Sequence, residues 1–271
     1  MGSSLSVTEL FAPFLADPRR SGLFTDFDGT LAPIVDDPTE ALPLPGVVDA
    51  LAALAGHYGR VGVISGRPAA FLRDHLAGRG LFLSGLYGLE FVDDDDEVRA
   101  IEDAEPWRAV IEEVVAAADV AGLPVERKGL AVTVHFRTDP SREDEVRTWV
   151  EEQAEATDLA VHPARMSYEL RPPMKLDKGT VLSDAAEGRT NVCFLGDDVG
   201  DLSAFDALDR LAADGVTVAK VAVESPEAPD ELLERADVTV DGPEGSLRLL
   251  RGLLPDPSDR STGGAEAPEG R

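Results

Sequence analysis

The sequence is poor in cysteine, in basic residues and in long apolar runs. Its single cysteine, Cys193, cannot form an internal disulfide and lies in an apolar stretch, so we expect it in a core. No run of about eighteen apolar residues occurs, which argues against a membrane-spanning helix. Residues 1–20 lack the basic and apolar regions of a secretory signal. We therefore expect a cytoplasmic protein.

Acidic residues outnumber basic ones. The 271 residues include 52 Asp and Glu against 25 Lys and Arg, which gives a formal charge of −27. Such a chain repels nucleic acid and anionic membrane surfaces, so we expect neither as a partner. An anionic small molecule would be repelled as well, unless Lys, Arg or a metal ion held it locally. Each basic residue near an acidic motif is therefore informative.

Most of the chain alternates between buried strands and amphipathic helices. Residues 61–64 and 192–195 are short continuous apolar runs, typical of strands covered on both faces. Residues 47–54 repeat apolar positions at helical spacing, and the order strand, helix, strand implies a right-handed parallel crossover. These patterns predict an α/β fold with a doubly wound parallel, Rossmann-like core formed by residues 21–95 and 175–254.

The pattern changes between residues 96 and 174. Residues 130–136 and 166–170 alternate strictly between apolar and polar, which predicts strands with one polar face. Helical spacing in residues 107–115 and 146–150 predicts two helices covering the other face. Residues 96–174 are therefore predicted to form an α+β module inserted into the core.

The two ends of the chain are assigned separately. Residues 1–20 precede the first predicted strand as an N-terminal segment. Residues 255–271 are rich in Pro, Gly, Ser and Glu, and we predict a disordered tail there. The sequence patterns leave the oligomeric state open, and a monomer is favoured.

Two carboxylates stand at the exit of the first apolar segment. A strand over residues 23–27 would send Asp26 and Asp28 to the same side, and Gly29 with Thr30 would supply a turn. Close carboxylates repel, so the pair requires a bridging cation or a proton. Taken alone, the motif is equally well explained as a surface turn rich in Asp and Gly.

Three further polar segments follow a predicted strand or begin a predicted helix. They are Ser65-Gly66-Arg67, Lys178-Gly179 and Gly196-Asp197-Asp198. The carboxyl ends of parallel strands line the ligand crevice of an open sheet, so these segments are expected to converge. Aspartate oxygens suit a hard ion such as Mg²⁺, while a hydroxyl, a helix-start amide and a lysine suit phosphate. The set predicts a phosphoryl-transfer site.

Roles follow from this chemistry. Asp26 would attack phosphorus and form an aspartyl-phosphate, while Asp28 would protonate the leaving oxygen and later activate water. Ser65, Gly66 and Lys178 would bind the phosphate.

In order and spacing, these segments resemble the four motifs of the haloacid dehalogenase superfamily of phosphohydrolases. The matching residues are Asp26-Phe27-Asp28-Gly29-Thr30-Leu31, Ser65-Gly66-Arg67, Lys178-Gly179 and Gly196-Asp197-Asp198-x-x-Asp201. The resemblance implies a Mg²⁺ site that includes Asp26, Asp28, Asp197 and Asp201. It also implies that the inserted module is a C2-type cap, a lid over the active site.

Within that superfamily, residues 20–254 resemble the trehalose-6-phosphate phosphatase family. Three segments are similar to the family's Gly-x-His-Gly-x-Glu, Lys-x(6)-His-Tyr-Arg and Glu-x-Arg-Pro: Gly85-Leu86-Tyr87-Gly88-Leu89-Glu90, Lys128 with His135-Phe136-Arg137, and Glu169-Leu170-Arg171-Pro172. The resemblance implies Mg²⁺-dependent hydrolysis of trehalose 6-phosphate. Another sugar phosphatase, a phosphosugar mutase and a non-catalytic sugar-phosphate sensor are the alternatives.

Candidate substrate contacts lie on the polar face of the predicted cap sheet. His135 and Arg137 share that face of one strand and Glu169 lies on that of the other, an arrangement that suits sugar hydroxyls. With Arg67 and Lys128 they are predicted to bind the substrate. Lys128 has the opposite parity from His135, so it can join them only if the strand starts after it or bulges. A solvent-exposed sheet face with an ion pair is the alternative.

Three positions depart from the family pattern. Tyr87 stands where the family usually has His, and Gly200 and Leu202 replace the Thr and Glu of Gly-Asp-Asp-x-Thr-Asp-Glu. Since Asp197 and Asp201 are present, the departures affect only finer contacts to the substrate and leave the expected metal site intact.

Overall fold

Two sheets organise the chain, and the computed structural model describes residues 6–35, 40–76, 80–164, 166–225 and 228–255. The strands are β1 (Ser21–Thr25), β2 (Arg60–Ile64), β3 (Phe82–Gly85), β4 (Glu90–Val92), β5 (Val98–Ala100), β6 (Val125–Arg127), β7 (Val132–His135), β8 (Ala160–Ala164), β9 (Ser167–Arg171), β10 (Asn191–Gly196), β11 (Thr217–Glu224) and β12 (Val238–Asp241). The helices are α1 (Val7–Ala16), α2 (Val47–His57), α3 (Ala69–Leu76), α4 (Trp107–Ala121), α5 (Glu143–Thr157), α6 (Lys178–Ala185), α7 (Leu202–Ala213), α8 (Asp230–Arg235) and α9 (Gly242–Gly252).

The larger sheet has the strand order β12-β11-β10-β1-β2-β3-β4-β5. From β12 to β3 the neighbours run parallel, while β4 and β5 add an antiparallel extension. The predicted core boundary at residue 95 precedes β5, which pairs in this sheet. The division of the chain into core and cap otherwise stays a prediction.

Helices cover both faces of the larger sheet, because side chains of its central strands alternate between two cores. Leu23 and Cys193 pack on the face covered by α1, α2, α3 and α9, whereas Phe24 and Phe194 pack on the face covered by α6, α7 and α8. The predicted doubly wound α/β fold is confirmed, and Cys193 is fully buried as expected.

The smaller sheet has the order β6-β7-β9-β8 with antiparallel neighbours. Val132, Val134 and Leu170 pack against α4 and α5, which leaves the opposite face of β7 and β9 turned away from these helices. Below, this sheet and its two helices are called the cap. The strands at β7 and β9 and both helices agree with the sequence patterns. Strands β6 and β8 were not predicted.

Residues 1–20 and 255–271 are the two predicted end segments of the chain. Helix α1 lies in the predicted N-terminal segment and buries Phe11 and Phe14 in the core. Residues 256–271 of the predicted tail lie outside the described residues. Within the described ranges, every helix is too short or too polar to cross a membrane.

Candidate active site

A cavity of ≈230 Å³ lies between the carboxyl ends of the central strands and the polar face of the cap sheet. Its walls combine residues that are distant in sequence, because parallel strands end at one edge of the sheet. The lining residues are Asp26, Asp28, Ser65, Gly66, Arg67, Tyr87, Glu126, Lys128, Glu169, Lys178 and Asp198.

Asp26 follows β1 directly and is 4% exposed. Its backbone N–H donates to Leu195 O at 2.9 Å, which continues the ladder with β10 by one residue. The chain then turns, since the N–H groups of Leu31 and Ala32 both donate to Phe27 O. The strand therefore ends at Thr25 rather than at Phe27 as predicted, and the shared side of Asp26 and Asp28 is not set by strand geometry.

The turn after Asp26 is built around the carboxylate of Asp197. Gly29 has φ 70°, and a Cβ at this position would overlap the Asp197 side chain, so glycine is required on both counts. The Thr30 hydroxyl, also buried, donates to Asp197 Oδ1 at 3.0 Å. This hydrogen bond joins the first of the four motifs to the last.

Lys178 is the buried first residue of α6 and joins three of the carboxylates. Its Nζ lies 2.9 Å from Asp26 Oδ1, 2.7 Å from Asp201 Oδ1 and 3.7 Å from Asp198 Oδ1. Burial alone would lower the pKa of Lys178, but Asp201 and Asp26 raise it well above its usual value. This lysine stays charged, and it can neutralise one anion in the cavity.

The acidic residues here carry more charge than Lys178 can balance. Asp26, Asp197 and Asp201 each offer an oxygen within 4.8 Å of the others, and all three are buried. Burial raises the pKa of Asp197 to about 7, that of Asp201 to about 6 and that of Asp26 well above its usual value. Repulsion among the neighbouring carboxylates adds to the effect of burial on these pKa values.

Individual oxygens indicate which residues suit a metal ion. Both oxygens of Asp201 are engaged, Oδ1 by Lys178 and Oδ2 by the backbone N–H groups of Asp197 and Asp198 at 2.8 and 3.0 Å. Oδ1 of Asp198 is buried and makes no hydrogen bond within the described part of the chain. The donor set of buried carboxylate oxygens fits a hard divalent cation.

Asp28 lies apart from this cluster. Arg67 binds its carboxylate through two hydrogen bonds, from Nε to Oδ2 at 2.7 Å and from Nη2 to Oδ1 at 2.6 Å. The guanidinium also lies over the Phe71 ring, with Cζ 4.7 Å from the centroid. An arginine therefore neutralises Asp28, and the expectation that a cation or a proton relieves repulsion between Asp28 and Asp26 stays a prediction.

The cap contributes a second polar cluster above the cavity. Lys128 Nζ lies 3.0 Å from Glu169 Oε2 and 3.7 Å from Glu126 Oε2, and the Thr133 hydroxyl donates to Glu169 at 3.2 Å. Strand β7 begins at Val132, so Lys128 precedes it. One of the two conditions under which Lys128 could join the polar face is thus met.

The two other predicted cap residues do not line the cavity. His135 Nε2 lies 3.4 Å from Glu126 Oε2, so this side chain stands behind a lining residue. Arg137 is exposed in the turn after β7. Glu126, which lines the cavity, was missed because β6 was not recognised, although its spacing of two from Lys128 could have indicated a shared face. Tyr87 and Asp198 were noticed as motif positions without an assigned role.

Comparisons with known proteins agree on one family. The family model described as trehalose-phosphatase matches residues 24–238. The chain is 31% identical over 252 residues to the trehalose-phosphate phosphatase of Mycobacterium leprae strain TN, which covers 87% of this chain. It spans only 58% of the length of that relative.

Solved structures share the fold. The trehalose-6-phosphate phosphatase of Aspergillus fumigatus in crystal form 3 superposes with a TM-score of 0.64 at 25% identity, covering 94% of this chain and 99% of that one. A haloacid dehalogenase-like hydrolase from Bacteroides thetaiotaomicron superposes with a TM-score of 0.61 at 17% identity, covering 86% and 99%. The chain belongs to the trehalose-phosphatase family.

Proposed function

We propose that this chain is a phosphatase that hydrolyses a sugar phosphate, trehalose 6-phosphate, to trehalose and inorganic phosphate. The observation that carries the proposal is the two-ended cavity. Asp26 and Lys178 form a buried, charged floor, and Lys128 and Glu169 of the cap form a polar roof. A ligand with an anionic group and a hydroxyl-rich body matches these two ends. Family membership and the names of the relatives support the same substrate.

The floor is assigned to the phosphate group. Lys178 supplies a fixed positive charge, and Ser65 with Gly66 lines the wall where β2 ends. The Ser65 hydroxyl accepts from the backbone N–H of Arg67 at 3.2 Å, which leaves its proton available for a phosphate oxygen. These groups would orient the phosphorus towards Asp26.

The reaction is assigned to the two carboxylates. Asp26 attacks phosphorus, the bond between phosphorus and the sugar oxygen breaks, and that oxygen takes a proton from Asp28. Water then attacks the aspartyl-phosphate, Asp28 accepts the proton of the water, and the bond from phosphorus to Asp26 breaks. Arg67 donates to both oxygens of Asp28 and so orients this carboxylate, and one of these hydrogen bonds must be released for Asp28 to carry the proton that it gives to the leaving oxygen.

We assign Mg²⁺ to the cluster of Asp26, Asp197 and Asp201. Within it, Asp26 and Asp197 offer the oxygens, while Asp201 holds Lys178 and the loop. When bound, Mg²⁺ would stabilise negative charge on the transferring phosphoryl group. Asp28 was also predicted as a ligand, and its side chain is assigned the acid and base role alone because Arg67 occupies it.

The roof is assigned to the sugar. Lys128 and Glu169 line the roof and would contact hydroxyl groups together with Glu126, and Arg67 would contact the sugar from the core. His135 would act through Glu126, and Arg137 is left without an assignment to the cavity. The proposal includes a monomeric enzyme that works in the cytoplasm on a small molecule.

A panel of sugar phosphates assayed for released phosphate, with and without a chelator, tests this function. We expect trehalose 6-phosphate to give the highest kcat/KM, and the chelator to abolish turnover until Mg²⁺ is restored. Transfer of the phosphate to another position of the sugar would indicate a mutase. A rise in melting temperature with substrate but no turnover in Mg²⁺ would indicate a sensor. Either result would contradict the proposal.

A further inference from the structure

Tyr87 lies in the wall of the cavity between its floor and its roof. The charges that act on its phenol come from both ends, from Lys178 and Asp26 at the floor and from Glu169 at the roof. The trehalose-phosphatase site described above leaves this side chain without a role.

The ring of Tyr87 is held in place from three directions. A Cβ at Gly66 would lie 2.7 Å from both Cζ and Oη of Tyr87, so the ring packs directly on the loop assigned to phosphate. Arg171 of β9 places its Cζ 4.8 Å from the ring centroid on the cap side. The backbone N–H of Tyr87 donates to Ser65 O at 3.1 Å. The phenol is thus fixed relative to both the loop at Gly66 and the cap strand β9.

The backbone at Tyr87 is unusual. Its φ of 58° and the φ of 49° at Leu86 put two consecutive side-chain-bearing residues in the left-handed region. Residues with side chains rarely adopt this conformation, and those that do tend to occur at functional sites, where the surroundings impose it. Here the strained turn is what directs the ring of Tyr87 onto Gly66.

The hydroxyl of Tyr87 is free to bind a ligand. The structure records no hydrogen bond from it to any other described residue. Burial raises the pKa of Tyr87 to about 12, so the phenol is neutral at physiological pH and can donate a hydrogen bond. A neutral phenol can donate to a ligand oxygen, and the position of Tyr87 between the floor and the roof places this donor where the phosphate of a bound ligand would join its sugar.

We propose that the Tyr87 hydroxyl contacts the substrate where its phosphate joins its sugar, donating a hydrogen bond to a sugar oxygen next to the phosphoester. Tyr87 is then a specificity-determining residue that favours sugar phosphates over other phosphomonoesters. The inference rests on the proposed function, because it requires a sugar phosphate in this cavity. It adds a contact from the core to the contacts assigned to the cap.

The test compares two substrates in the Tyr87→Phe variant, with Mg²⁺ present. Trehalose 6-phosphate has a sugar next to its phosphoester, and p-nitrophenyl phosphate has none. Loss of one hydrogen bond to a neutral group corresponds to about a tenfold change. We therefore expect the ratio of kcat/KM for trehalose 6-phosphate to that for p-nitrophenyl phosphate to fall about tenfold in Tyr87→Phe.

Tyr168→Phe is the matched control, because it makes the same chemical change on the other face of β9. The Tyr168 ring packs against Phe136 at 5.8 Å, on the side of the cap helices. We expect this variant to keep the wild-type ratio. Melting temperatures of both variants should stay within about 2 °C of the wild type, since phenylalanine keeps the ring.

The outcomes separate the inference from the function on which it rests. An unchanged ratio in Tyr87→Phe, whether both rates fall together or neither falls, would overturn the role of Tyr87 while leaving an active sugar phosphatase. A wild-type protein that releases phosphate from no sugar phosphate would overturn the proposed function, and the inference with it.

Discussion

The floor and the roof of the cavity differ in how deeply their charged side chains are buried and how closely these are paired. Lys178 in the floor is 2% exposed and lies within 3 Å of two carboxylates, whereas Lys128 in the roof is 17% exposed with its nearest carboxylate at 3.0 Å and its next at 3.7 Å. Asp28, at the edge of the floor, is the exception, with 37% of its side chain exposed. The more buried charges thus lie where the reaction is proposed, and the less buried ones lie where the sugar is proposed to bind.

The difference has its origin in the two sheets. The floor follows β1 and β10, whose residues are all buried at the centre of the larger sheet. The roof depends partly on β6, a strand of three residues at the edge of the smaller sheet, where the side chains are half-buried or exposed. Substitutions in the floor should therefore impair chemistry, and those that leave buried carboxylates without their cation should also lower stability, while substitutions in the roof should change substrate affinity.

The largest expected effect is at the floor. Asp26→Asn removes the proposed nucleophile, so phosphate release should fall by at least about 10³-fold. Asparagine has the same shape and relieves repulsion among the buried carboxylates, so the melting temperature should not fall. The exposed Asp184→Asn in α6 is the control and should keep wild-type activity. Substantial turnover by Asp26→Asn would rule out the nucleophile assigned here.

The stability of the floor is tested by Lys178→Met, measured by chemical denaturation in chelator. This change leaves Asp26 and Asp201 buried without their cation, which should lower the free energy of unfolding by about 3–5 kcal/mol. Lys220→Met is the control, because Lys220 also lies 2.7 Å from a carboxylate, but that of Asp209 is 51% exposed. It should cost about 1 kcal/mol or less. Equal losses of unfolding free energy in Lys178→Met and Lys220→Met would contradict the expected difference between a buried and a surface ion pair.

The floor could be predicted from the sequence because its residues follow strong local patterns. Short apolar runs identified β1 and β10, and the rule that ligands bind at the carboxyl ends of parallel strands predicted that Asp26 and Lys178 lie close together. The pairing of Asp28 with Arg67 could not be predicted in this way. It joins residues 39 positions apart, and it depends on where β1 stops.

The roof was less predictable because its signals are short. β6 spans only Val125–Arg127, too few residues for an alternation to be recognised, so Glu126 was missed. His135 and Arg137 were placed by extending the alternation of β7 to residue 137, but the strand ends at His135 and the chain turns. Periodicity predicts which face a residue takes only within the strand, and the ends of strands are set by tertiary contacts.

Substrate affinity at the roof is tested by Glu169→Gln. The Glu169 carboxylate accepts from Lys128 and Thr133 and is assigned to sugar hydroxyls, so its loss should raise KM for trehalose 6-phosphate roughly 10- to 100-fold. The kcat should change by less than about threefold, because the floor is untouched. The exposed Glu151→Gln in α5 is the control. A fall in kcat with KM unchanged would assign Glu169 to the reaction itself and contradict the proposed difference between the floor and the roof.

The smallest expected effect separates residues that line the roof from residues behind it. His135 reaches the cavity only through Glu126, whose pKa it lowers by a hydrogen bond, so His135→Gln keeps a possible donor and should raise KM by less than about threefold. Arg137→Gln should leave KM within about twofold, because Arg137 is exposed beyond the end of β7. Kinetic assays of both variants with trehalose 6-phosphate provide the measurement. An effect of Arg137→Gln as large as that of Glu169→Gln would contradict the distinction between residues that line the roof and residues outside it, since Arg137 does not line the cavity.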